Sequence, residues 1–79
     1  MTDKEYGSLT FEEKASILWD VGVFVDAIDY RNQTVKLYSL YSFFVEVYYN
    51  IGNKHVENLA IAGPEEMTKY LGRITIELQ

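Results

Sequence analysis

Apolar residues recur along this chain with two different periods. Between Phe11 and Val21 they fall at Phe11, Ala15, Leu18 and Val21, with Ile17 and Trp19 beside the stripe. That is the three-to-four spacing of one helix face. Thr10 precedes the run and Glu13 follows Thr10 three residues on. Such a pair forms a capping box, in which the hydroxyl and the carboxylate each satisfy a backbone N–H that the first helical turn leaves unpaired. Glu12 and Glu13 also suit the positive end of the helix dipole. Gly22 tolerates a left-handed backbone and so supplies a stop. The pattern predicts a helix over about 11–20. The polar residues before it, 1–8, are expected to be flexible.

From Val23 the period shortens to two. The segments 23–30, 34–40, 43–49 and 55–61 read as strands. Thr34 to Tyr49, TVKLYSLYSFFVEVYY, carries the strongest signal. It is β-branched, aromatic or leucine almost throughout, without Pro or Gly, which is what a pleated packed surface selects. Arg31-Asn32 and Tyr41-Ser42 read as two-residue turns, and Asn50-Ile51-Gly52-Asn53 as a third turn. Gly63-Pro64-Glu65-Glu66 opens a second helix with Pro at its first position. Met67, Tyr70 and Leu71 give it an apolar face, and Gly72 ends it. Ile74, Ile76 and Leu78 alternate with Arg73, Thr75 and Glu77, predicting a short C-terminal strand or tail. The expected fold is α+β in a single domain, 1–79: an N-terminal helix, a four-stranded antiparallel meander, a second short helix and the tail. Both helices are expected on one face of the sheet.

Pairing Tyr30 with Gln33, Leu40 with Phe43 and Asn50 with Asn53 fixes which side chains share a face. One face then holds Val23, Val25, Ala27, Tyr38, Leu40, Phe43, Val45, Val47, Val56 and Ala60, a natural core. The other holds Phe24, Asp26, Ile28, Val35, Leu37, Ser39, Phe44, Glu46, Tyr48, His55, Glu57, Leu59 and Ile61. It is too apolar for an ordinary solvated surface and too acidic for a core. Asp26, Leu37, Glu46 and Glu57 form a line across four strands in this register, with Glu46 opposite Glu57.

Composition narrows the function classes. The chain has 79 residues, no cysteine and a net charge of −5. Disulfides, thiolate metal sites and a cysteine nucleophile are excluded. A small domain without disulfides points to a reducing, cytoplasmic setting. The start has no basic segment leading into an apolar run, so no signal peptide is expected. No apolar run reaches the roughly 20 residues of a membrane span. The seven basic residues are scattered singly, which disfavours nucleic-acid partners.

Clustered carboxylates can share protons or hold a hard cation, and strands about 4.8 Å apart place Asp26 and Glu46 roughly 10 Å from each other. That is near the upper limit for a paired-carboxylate hydrolase. The competing reading is that these acids only keep a semi-apolar face soluble and discourage edge association. His55 is the sole histidine. It has no G-x-S-x-G nucleophile to serve and cannot hold zinc without cysteines. Trp19 and Tyr38 read as packing groups. No phosphate-binding glycine pattern occurs, and no cofactor or metal is implied.

The motif Leu9-x-x-Glu12-Glu13, then Leu18-Trp19-x-x-Gly22-x-Phe24 and Tyr30-x-Asn32, continues in Val35-x-Leu37-Tyr38-x-Leu40-x-x-Phe43-Phe44-Val45-Glu46-Val47-Tyr48-Tyr49. Over roughly residues 9–76 this resembles a group of short, uncharacterised bacterial proteins. In that group an Asp-Gly pair stands where this chain has Tyr41-Ser42, which implies a two-residue turn there. The group has no assigned activity, so the resemblance assigns no catalytic residue. The residues themselves favour a non-enzymatic protein-interaction domain, self-associating or binding another protein. Its expected surface is the second sheet face: Phe24, Asp26, Leu37, Phe44, Glu46, Tyr48, His55 and Glu57. A small-ligand module on the same face, for instance for a carbohydrate, is the alternative. A carboxylate-dependent hydrolase stands third.

Overall fold

The computed structural model describes residues 1–70. The expected C-terminal strand or tail lies outside the described residues. Four strands form one antiparallel sheet in chain order: β1 (Val23–Tyr30), β2 (Gln33–Leu40), β3 (Phe43–Asn50) and β4 (Val56–Ala62). Helix α2 (Phe11–Val21) precedes the sheet. Helix α3 (Pro64–Met67) follows it and runs into a 3-10 turn, Thr68–Tyr70.

The capping box of α2 forms as its sequence requires. The Thr10 hydroxyl accepts the Glu13 N–H at 3.1 Å, and the Glu13 carboxylate accepts the Thr10 N–H at 2.9 Å. The same device stands eight residues earlier, at Thr2 and Glu5. Residues 1–8, expected to be flexible, therefore include helix α1 (Asp3–Gly7). Tyr6 anchors it: the side chain is 1% exposed and its hydroxyl donates to the Lys14 carbonyl at 2.7 Å.

Two of the three turns set the expected register. Tyr30 opposes Gln33, and Leu40 opposes Phe43. Arg31 and Asn32 both take positive φ, 52° and 65°, as a type I′ hairpin turn demands. The third turn is longer than the sequence suggested. The Asn50 N–H reaches the His55 carbonyl at 2.9 Å, and the ladder shifts again next to Tyr48. The shift is odd in number, so β4 is turned over. Leu59 and Ile61 face the same side as Val47 and Val45, not the side predicted for them. A second irregularity, between Phe24 and Asp26, exchanges sides at the start of β1. Phe24 there lies opposite Tyr38, while Val25 packs on the other face. Alternation carries side-chain direction only while the ladder is regular.

Both faces of the sheet are covered. On one, Tyr6 and Leu18 pack with Leu40, Val45, Val47 and Leu59. On the other, Tyr70 and Met67 pack with Ile28, Val35, Leu37, Phe44 and Tyr48. The helical segments thus lie on opposite faces, which corrects the expectation that both share one. The reason is hydrophobic. β2 carries buried Leu40 on one side and buried Val35 and Leu37 on the other, and neither row is stable in water.

Candidate functional site

The centre of β3 holds the one charged side chain that is completely buried among the described residues, Glu46. Strand alternation aims it at the second face with Phe44 and Tyr48. The carboxylate survives there because donors converge on it. The Tyr48 hydroxyl donates to Oε1 at 2.9 Å, and the Tyr70 hydroxyl donates to Oε2 at 2.7 Å. Lys69 Nζ stands 2.8 Å from Oε2. Lys69 and Tyr70 come from the 3-10 turn and Tyr48 from the strand itself, so the cluster fastens the C-terminal segment to the sheet. The same ammonium donates to the Glu66 carbonyl at 3.1 Å and lies 5.4 Å from the centre of the Tyr30 ring. Burial, then the hydrogen bond to Glu46, raises both Tyr48 and Tyr70 well above an ordinary phenol. Both hydroxyls therefore remain donors at neutral pH. Among the described residues no buried side-chain polar atom lacks a partner. With both oxygens engaged, Glu46 is arranged as a structural acceptor.

The expected interaction face is distributed differently. Leu37 and Glu46 are wholly buried, and Phe44 and Tyr48 are half-buried beneath Met67 and Tyr70. Asp26 shares their register across Leu37, and its carboxylate accepts the Ala27 N–H at 2.8 Å. The acidic line breaks at β4, where Ala60 and not Glu57 opposes Glu46. Glu57 lies at the far end of the sheet, accepting from Gln33 Nε2 at 2.8 Å and from Asn50 Nδ2 at 3.2 Å. His55 is exposed at the third turn, where its N–H donates to Asn53 Oδ1 at 2.8 Å. Phe24 stands on the opposite face.

Phe24 belongs to a patch that the sequence reading did not assemble. Trp19 is 51% exposed, Val21 45%, Val23 63% and Phe24 55%. Tyr38 joins the two ends, its ring 6.0 Å from that of Trp19 and 5.8 Å from that of Phe24, both edge-on. Trp19, expected as a packing group, packs edge-on against Tyr38 and leaves about half of its surface exposed. The available signal was Trp19, which stands beside the apolar stripe of its helix and not on it.

Two hollows adjoin the sheet. One, of about 530 Å³, is bordered by Ala27, Ile28, Asp29, Tyr30, Thr34 and Lys69. The other, of about 330 Å³, is bordered by Thr34, Lys36, Tyr49 and Lys54. Among the described residues, no three His, Asp or Glu side chains gather as a metal site would require, and no helix is long and apolar enough to cross a membrane. No family model, curated protein or solved structure matches the chain.

Proposed function

We propose that the protein is a non-enzymatic interaction domain that pairs with a second copy of itself. The patch formed by Trp19, Tyr38 and Phe24 is its contact surface. The observation that carries this reading is the exposure of two large aromatic side chains, Trp19 and Phe24, joined through the ring of Tyr38. Contiguous exposed apolar surface on a small protein marks a contact site more often than chance placement does. Aromatic side chains are favoured at the buried centre of interfaces. Charge favours a second copy at this place in particular. Two chains of net charge −5 repel each other in general. Within this patch Asp20 is the one ionisable side chain between Trp19 and Phe24, so two copies meet here with little opposition of like charge. A two-fold axis lets one patch serve both partners.

The test is mass by sedimentation from micromolar to millimolar concentration, with the fluorescence of the single tryptophan followed in parallel. Dimer formation with a concentration-dependent blue shift of Trp19 is expected. Phe24→Lys should abolish both while leaving the fold intact. A monomer at every concentration would overturn the reading.

A further inference from the structure

Lys36 and Lys54 border the same 330 Å³ hollow. Among the described residues, no carboxylate lies within ion-pair distance of either lysine. This is unusual for the chain: twelve acidic residues face seven basic ones, yet two of the seven share one hollow. The other lysine in the sheet region, Lys69, shows the contrast. It borders the larger hollow, but its charge is met by Glu46 at 2.8 Å.

The arrangement of the smaller hollow is specific. Lys36 is half-buried, and its ammonium lies 4.9 Å from the centre of the Tyr49 ring. The ring face holds that ammonium by cation–π attraction and limits its freedom. Tyr49 in turn packs against the main core, so the wall of the hollow is fixed from behind. The Thr34 hydroxyl also borders the hollow, but it donates to Asp29 Oδ1 at 3.1 Å. The cationic side chains that border the hollow are Lys36 and Lys54.

We infer that this hollow, between Lys36 and Lys54 with Tyr49 as its wall, binds a small phosphomonoester. Two ammonium groups match the charge of a phosphate dianion, and lysine binds phosphate as a point charge without requiring a planar fork. The volume lies at the lower end of the range for small-ligand sites, which suits a compact organic phosphate. A nucleic-acid polymer is disfavoured because the rest of the surface is acidic.

The experiment is an amide-resolved NMR titration of the full chain with phenyl phosphate and with inorganic phosphate, against sodium chloride at equal ionic strength. Saturable shifts centred on Thr34, Lys36, Tyr49 and Lys54 are expected with both phosphates and absent with chloride. Lys36→Gln and Lys54→Gln should each weaken binding about tenfold, the effect of losing one charge-assisted hydrogen bond. Lys36→Arg should retain binding, and Arg31→Gln, a cation on another turn, should leave it unchanged. The amide spectrum of each variant reports its fold directly. Shifts that grow linearly and spread over every lysine would overturn the inference, as would Gln variants that bind like the parent.

Discussion

At Gly22 a Cβ would lie 2.5 Å from the Leu18 carbonyl oxygen and 2.8 Å from Leu18 Cδ1. Its backbone, at φ −72° and ψ 146°, is open to any residue. The sequence suggested glycine for a left-handed stop, but the structure uses it for close approach. The Gly22 N–H closes the last turn on the Leu18 carbonyl at 2.9 Å. Gly22→Ala should therefore destabilise the protein by about 1–3 kcal/mol through overpacking, read as a lower denaturant midpoint at unchanged slope. Glu46 is the other residue whose role depends on its surroundings. Glu46→Ala would strand the Lys69 ammonium and the hydroxyls of Tyr48 and Tyr70. Breaking a buried pair from one side costs about 3–5 kcal/mol. Chemical denaturation of Glu46→Ala should show a loss of that size, and a loss below about 1 kcal/mol, the scale of an exposed ion pair, would contradict the geometry.

Among the elements, the helices and hairpins follow local chemistry closely. Thr10 with Glu13, the Arg31-Asn32 turn and Pro64 each act as their residue types require. Capping box Thr2–Glu5 was equally legible, but the polarity of residues 1–8 outweighed it. Turn β2–β3 forms despite its sequence. Tyr41 sits at φ 54°, a left-handed conformation that costs a non-glycine residue about 1–2 kcal/mol. The flanking pairs from Tyr38 with Val45 to Leu40 with Phe43 hold it there. Tyr41→Gly should relieve the strain and raise stability by about 0.5–1 kcal/mol, net of the lost ring contact with Phe43. Thermal and denaturant unfolding would detect this, and a clear loss of stability would show the ring to matter more than the backbone.

For the molecule as a whole, tyrosine links stability to alkaline pH. Burial pushes Tyr6 up to about 12 and raises Tyr48 and Tyr70 further. The unfolded chain releases these protons near the ordinary value of 10.0, while the folded chain retains them. The folded state then binds more protons, so stability falls as pH rises above that value. Below it the contribution is fully present. Denaturant midpoints should be flat from neutral pH to about pH 9 and fall steeply beyond about pH 10. Tyr6→Phe, which removes one of these groups, should make the fall shallower.

The sequence by itself determined the elements that depend on neighbours in the chain: the α2 cap, four strands of alternating residues, the Arg31-Asn32 turn and the Pro64 helix start. The expected register holds from Asp26 to Tyr30 of β1 and across β2 and β3, because two-residue turns leave little freedom. Only the tertiary structure decided which face each remaining side chain joins. An extra residue at the start of β1 and a longer turn before β4 reverse the alternation, and neither changes composition or period enough to be seen in the sequence. The burial of Glu46 under Tyr70 follows from the C-terminal segment covering the second face, and the placing of Phe24 against Tyr38 follows from the reversal in β1. Each is a contact between distant segments, and local pattern carries no term for distance.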